Sequence, residues 1–485
     1  MVPVADELRM RTPAGRWVLA TTVLGTGLAM LDSTVVNVAL ERIGSDFGAA
    51  FADLQWTINA YTLTLAGFIL LGGSLGDRFG RRRIFLVGVV WFALASALCG
   101  LAPSVEVLIA ARALQGVGGA LLTPGSLALI SASFRGEDRA AAIGAWSGLA
   151  GVAGAVGPFV GGWLVEWNWR AVFLVNLPVA AVIVVAALRH VPESVDPSAV
   201  KHLDLPGTVL ALLGLGALTW SLTEAGAAGA SPAVLTTGVA GVVALAAFVV
   251  VERRSRSPLV PPDLFANPRF SALNVVTLLM YAALGVLFVL LVLQLQVVAG
   301  FSPLRAGLST LPITLVMLLL SARAGRLASR IGPRLPMTVG LVVASAGMLL
   351  LLRVGPDASY WTDVLPAVLL FALGLSATVA PLTATVLDAA DDRHAGVASG
   401  VNNAVARAAG LLAVAVIPAA AGIAGADYTD PVAFSAGYHR AVVIAASLLL
   451  GAAVLTVLLL RPSPRFQVHE CTHCGVTEPA PDPSS

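Results

Sequence analysis

Asp32 and Arg112 are charged residues set inside long apolar runs. At the centre of a membrane-spanning helix each costs about 2.5–3.5 kcal/mol on the insertion scale. Each therefore needs a partner or a water-filled cavity, and such residues mark ion or substrate pathways by default. Asp32 can carry a proton and Arg112 can answer its charge. The plainer alternative is an ion pair that only locks two helices together. Gln115 follows Arg112 by three positions and shares its helix face. Arg407 lies in another apolar run, where it faces a cavity or snorkels to the interface. Asn37, Tyr61, Trp146, Asn274, Tyr281 and Asn402 are uncharged polar or amphipathic residues in such runs. They glue helices together or line a cavity, and Tyr61, Trp146, Asn274 and Tyr281 are the preferred substrate contacts.

The chain that must position these residues has 485 residues, 58% hydrophobic and 12% charged, with a mean hydropathy of +0.89. A soluble domain is about 25% charged, so the composition excludes a soluble protein and predicts a polytopic membrane protein. A formal net charge of +2 leaves no basic excess for nucleic acid. Three cysteines make no disulfide framework. Lys201 is the only lysine among 29 basic residues, the codon usage expected of a GC-rich bacterium.

A span needs about 20 predominantly apolar residues. Such runs lie near 17–40, 55–76, 84–101, 107–131, 140–164, 171–188, 205–223, 233–251, 270–298, 306–328, 335–352, 364–389, 395–423 and 439–460. They are numbered here as spans 1 to 14. Unbroken runs exclude the alternation of barrel strands, so the expected fold is all-α. With both termini in the cytoplasm, 22 basic residues fall inside and five outside, namely Arg42, Arg170, Arg305, Arg353 and Arg440. That asymmetry obeys the positive-inside rule and predicts a multi-pass protein of the cell membrane.

The halves repeat. GSLGDRFGRR (73–82) and GRLASRIGPR (325–334) share glycine, leucine and arginine positions, and each follows the second span of a six-span unit if spans 7 and 8 are extra. The expected organisation is a cytoplasmic N-terminus (1–16), a six-helix bundle (17–190) and a linking pair of spans (205–251). A second bundle (270–460) and a disordered cytoplasmic tail (462–485) complete it. Internal repeats of this kind build secondary transporters.

Several segments carry a family resemblance. GSLGDRFGRRR (73–83) resembles motif A of the major facilitator superfamily, ARALQGVGGALLTPG (111–125) its motif B, and GVAGAVGPFVGGW (151–163) its motif C. LDSTVVNVAL (31–40), WTINAYTLTLA (56–66), WRAVFLVNLP (169–178) and GVASGVNNAVARAAG (396–410) are similar to its fourteen-span drug:proton antiporter branch, the EmrB/QacA type. The resemblance implies two six-helix bundles, alternating access and export of lipophilic compounds against protons, with no other cofactor. It also implies a conformational latch between the bundles on the cytoplasmic side, on Gly73, Asp77, Arg78, Gly80, Arg81 and Arg82. Ser329 replaces the Asp77 position in the second copy, so that loop lacks the charged part. Gly154, Gly157, Pro158, Gly161 and Gly162 form the pattern associated with antiporters. Asp32 and Arg112 become the proton-coupling pair.

Other classes fit less well. None of the six histidines falls in a clear span interior, no nucleophile–base set gathers at one interface, and no GxxxxGK[ST] loop points to ATP. No enzyme is expected. His469, Cys471, His473 and Cys474 in the tail are soft ligands, but so close together they seldom close a tetrahedral site, and no metal is expected. Glu224, at the end of span 7, reads as exposed. A symporter or exporter for a metabolite or nutrient is the rival reading, since fold does not settle direction or cargo. The expected partners are a lipophilic small molecule and the lipid bilayer.

Overall fold

The computed structural model describes residues 9–195, 204–255, 258, 260–390, 395–425 and 427–460. Among them every regular element is a helix, and fourteen helices are long and apolar enough to span a membrane. The expected tail, Lys201 and the first eight residues lie outside the described residues.

Most boundaries agree with the apolar runs to within a few residues. Span 1 is longer, Pro13–Phe47, and span 14 begins eight residues earlier than expected, at Pro431. Capping explains both. Thr12 accepts from the Gly15 N–H ahead of Pro13, and Asp430 accepts from Val432 and Ala433 ahead of Pro431. Hydropathy measures the apolar layer, whereas caps set the helix. At 35 residues, span 1 is about 52 Å long against a hydrocarbon core of about 30 Å, so it projects beyond that core. Arg42, Arg305, Arg353 and Arg440, expected in loops, therefore lie on span helices. His439 likewise sits within span 14, and Glu224 is half-buried within span 7, which runs on to Ala228.

The two halves use the same helix pairs. Span 1 packs on 5, 2 on 4 and 3 on 4; in the second half 9 packs on 13, 10 on 12 and 11 on 12. The repeated loops share a backbone feature: Gly80 and Gly332 both have positive φ, 110° and 84°. A side chain there would be strained, so each glycine allows the abrupt turn between two spans. The halves meet along two flanks. Spans 5 and 10 pack directly, while span 7 rests on spans 2 and 13 together, and span 8 packs on span 7.

The flank of spans 5 and 10 is tight at the end away from residues 73–83. A side chain at Gly162 would strike the backbone of Pro303 and Leu304, and one at Gly307 would strike Pro158. The face that carries residues 73–83 is called the motif A face below. Gly144, Gly148 and Gly151 there have open space where a side chain would stand.

Candidate functional site

Asp32 and Arg112 are each 1% exposed, and Arg112 NH1 donates to Asp32 Oδ2 at 2.6 Å. The other oxygen, Asp32 Oδ1, accepts from Gln115 Nε2 at 2.8 Å and from Asn176 Nδ2 at 3.0 Å. Arg112 also donates to Gln115 Oε1 and to the Thr57 carbonyl, and its guanidinium lies 4.2 Å from the Tyr61 ring centroid. Ser96 Oγ accepts from both Gln115 and Asn176. Five of the first six spans thus contribute to one buried network. Its charges are paired and richly hydrogen-bonded, which is what keeps a buried ion pair tolerable.

Asn176 enters this network because span 6 breaks. A one-turn helix, Ala171–Leu174, is followed by a separate helix from Asn176. Pro178 has no N–H for the Leu174 carbonyl, which ends the first piece there. Asn176 and Ser96 were not singled out from the sequence. Asn176 did stand in the segment 169–178, two residues before the proline that places it.

Between the halves lies a cavity of about 380 Å³, a volume suited to a drug-sized molecule. Spans 1, 2, 5, 9, 10 and 13 line it, with Asn37, Asn59, Tyr281, Phe288 and Arg407 among the wall. On the face away from motif A it is closed by hydrogen bonds between the halves. Gln55 donates to the Val414 carbonyl at 2.5 Å, and Gln296 to that of Val38 at 3.1 Å. Phe51 N–H donates to Gly425, and Tyr428 Oη to the Ala49 carbonyl. Burial, with Glu41 and Asp53 nearby, pushes the Tyr428 phenol above its ordinary pKa, so it remains a donor.

The structure separates the residues named from sequence. Asn37, Tyr281 and Arg407 line the cavity; Tyr61, Gln115, Trp146, Asn274 and Asn402 are not in its wall. Tyr61 and Gln115 turn into the Asp32 network. Trp146 Nε1 donates to Thr26 Oγ1 at 3.1 Å. Asn402 donates to Asn274 Oδ1 and Thr277 Oγ1, fastening span 13 to span 9. Asn59 is in the wall but was not among the chosen site residues.

Span 5 shows what the motif C residues do physically. Pro158 cannot donate to the Gly154 carbonyl one turn earlier. That carbonyl lies 3.5 Å from the Thr34 hydroxyl of span 1. Side chains at Gly157 and Gly161 would collide with Thr34 and Val35, so the missing side chains admit span 1 closely. Gly162 does the same for span 10 on the neighbouring face.

In the motif A loop, Asp77 accepts from Arg81 Nε at 2.8 Å and pairs with its terminal nitrogen at 2.7 Å. This ion pair is internal to the loop, whereas the resemblance implies a latch joining the bundles. Glu193, beyond span 6, accepts the backbone N–H groups of Arg82 and Arg83. Its carboxylate caps the positive end of span 3. A side chain at Gly80 would occupy the place of that carboxylate. Gly73 lies against Pro124 of span 4.

Comparison with known proteins agrees with this architecture. Residues 22–415 match the family profile described as Major Facilitator Superfamily. The puromycin resistance protein of Streptomyces alboniger is 38% identical over 92% of this chain and 91% of that protein. The methylenomycin A resistance protein of Bacillus subtilis is 35% identical over 82% of this chain and 86% of its own length. In fold, the chain resembles a bacterial homologue of the human lysosomal transporter Spinster, in an inward-facing and occupied conformation. The TM-score is 0.65 at 18% identity, over 92% of this chain and 97% of that one.

Proposed function

This chain belongs to the Major Facilitator Superfamily, and from that premise we propose that it exports lipophilic small molecules, antibiotics among them, in exchange for protons. The family consists of transporters. The observation that carries the reading is the cavity shared by both halves, sealed by inter-half hydrogen bonds at one face, with span 5 glycines beside open space toward the other. A site so placed can be opened to either side by rocking one bundle against the other. The resistance and export names of its relatives support outward transport of drugs.

Asp32 is the proton-carrying group in this reading, and Arg112 is the charge that answers it. When Asp32 is protonated, Arg112 loses its counter-ion, and the bonds to Gln115 and Thr57 and the Tyr61 ring are what remain to hold it. The neighbouring residues Ser33, Thr34 and Asn37 of the same helix line the cavity. A change in the network can therefore reach the cavity wall through span 1. Asp77 supports the other state, in which the motif A face closes and its carboxylate is available to the opposite bundle.

The motif A face and both termini are cytoplasmic, following the arginine asymmetry. Cysteine introduced at Ser329 in a Cys-free variant should resist impermeant thiol reagents in intact cells, while one at Ser104 labels. The reverse pattern overturns the orientation. For function, everted vesicles with an acid interior should accumulate methylenomycin A or a related antibiotic, and their lumen should alkalinise in step as protons leave in exchange. Accumulation in right-side-out vesicles instead would favour the rival reading of a metabolite or nutrient symporter.

A further inference from the structure

We infer that the cavity between the halves takes an anionic cargo, a lipophilic molecule carrying a carboxylate or comparably acidic group. The inference rests on the export reading and deepens it by naming the charge of what is carried. Arg407 is the only charged residue among the described cavity-lining residues. Its Nε donates to Asn403 Oδ1 at 3.0 Å, a neutral partner four residues back on the same helix. No carboxylate among the described residues forms an ion pair with it. Asp32 cannot supply one, because it is sealed inside the first bundle with Arg112, Gln115 and Asn176 on its oxygens.

A second observation points the same way. Asn59 is 1% exposed, lines the cavity, and has neither amide atom hydrogen-bonded. Asn37 Oδ1, in the same wall, is also buried without a partner. Buried polar groups are nearly always satisfied, so such orphans call for a ligand or water. The Asn59 amide nitrogen and the Arg407 guanidinium are donors, the pairing an acidic group accepts. The two amide oxygens suit hydroxyl or N–H groups elsewhere on the cargo. Tyr281 and Phe288 offer apolar surface for its body. A cationic cargo of similar size would meet the uncompensated charge of Arg407 with no carboxylate to offset it.

Two xanthene dyes of like shape and opposite charge test this: fluorescein, an anion, and rhodamine 6G, a cation. Binding to the full-length purified protein is read by fluorescence anisotropy. Wild type should prefer fluorescein. Arg407→Gln should weaken fluorescein binding about tenfold and leave rhodamine 6G unchanged or tighter, whereas Arg407→Lys should stay near wild type. Asn59→Asp, which places a carboxylate in the same cavity, should move preference toward rhodamine 6G, and it tests the charge independently should Arg407→Gln fold poorly. Wild-type preference for rhodamine 6G, binding of neither dye, or an unchanged preference in both Arg407→Gln and Asn59→Asp would overturn the inference. Uphill efflux of a cation by cells would overturn it too, while leaving export standing. Arg407-dependent fluorescein binding without efflux of any tested compound would support the anion site and sink the export reading.

Discussion

Spans 1–6 and spans 9–14 pack equivalent helix pairs, yet they hold different things inside. The first bundle encloses an ion pair with Gln115, Asn176 and Ser96 arranged around it. At the corresponding business of joining its helices, the second bundle uses the uncharged set Asn274, Thr277 and Asn402. Among its described residues no charged side chain is fully buried; Arg407 keeps its exposure by lining the cavity. The repeated loops differ in the same sense. Asp77 holds Arg81, whereas Ser329 merely donates to the Arg326 carbonyl on its own helix. A duplicated scaffold needs its shape twice and its titratable chemistry once. In the proposed mechanism the first bundle holds the proton and the second presents charge to cargo.

Substitutions can break this contrast. Arg112→Ala should do most damage, because it strands a buried carboxylate; the expected loss is about 3–5 kcal/mol of stability. It would be seen in thermal unfolding of the purified protein, and a loss below about 1 kcal/mol would mean the network is not what holds spans 1, 2 and 4 together. Asp32→Asn is gentler on folding, since an amide keeps the size and an acceptor oxygen. It should abolish uphill, proton-driven efflux and with it cargo-induced proton movement in proteoliposomes, while downhill exchange survives. Normal coupled flux in this variant would remove Asp32 from the mechanism.

Smaller effects sharpen the comparison. Asp77→Asn should slow transport several-fold with binding intact, because a latch shifts a conformational equilibrium without touching cargo. Ser329→Ala should be mild in the same efflux assay, and equal losses would say that both loops serve only membrane insertion. Asn402→Leu removes two inter-helix bonds of the second bundle. At about 0.6 kcal/mol per contact, the loss should be near 1 kcal/mol, with transport retained. A loss as large as that of Arg112→Ala would erase the asymmetry between the halves.

How much of this was legible beforehand depended on scale. Hydropathy reveals fourteen spans because each must satisfy the same apolar layer, and repeated turns reveal the duplication because each needs a glycine with positive φ. Burial cost alone is enough to single out Asp32 and Arg112. Which polar residues face the cavity is a finer matter of helix rotation. Asp32 and Ser33 are adjacent, about 100° apart on a helix, and one faces the bundle interior while the other faces the cavity. Asn59 and Tyr61 divide likewise. A chain of mixed apolar neighbours carries no strong phase signal, so Tyr61 and Trp146 looked as eligible as Tyr281. Asn176 depended on a local break, and Glu193 on a contact between segments more than a hundred residues apart.

In the proposed anion exchange, Arg407 also sets how the transport weighs the membrane voltage. An anion leaving the cell as one proton enters moves two positive charges inward, whereas a monovalent cation leaving against one proton moves none. With about 2.3 kcal/mol per charge for each 100 mV, the anion exchange draws about 4.6 kcal/mol from every 100 mV of inside-negative potential. Efflux should therefore be electrogenic. Clamping the voltage to zero with valinomycin and matched potassium, at a constant pH gradient, should cut the attainable cargo gradient steeply. An unchanged gradient would mean that the exchange is electroneutral and that what leaves is not an anion.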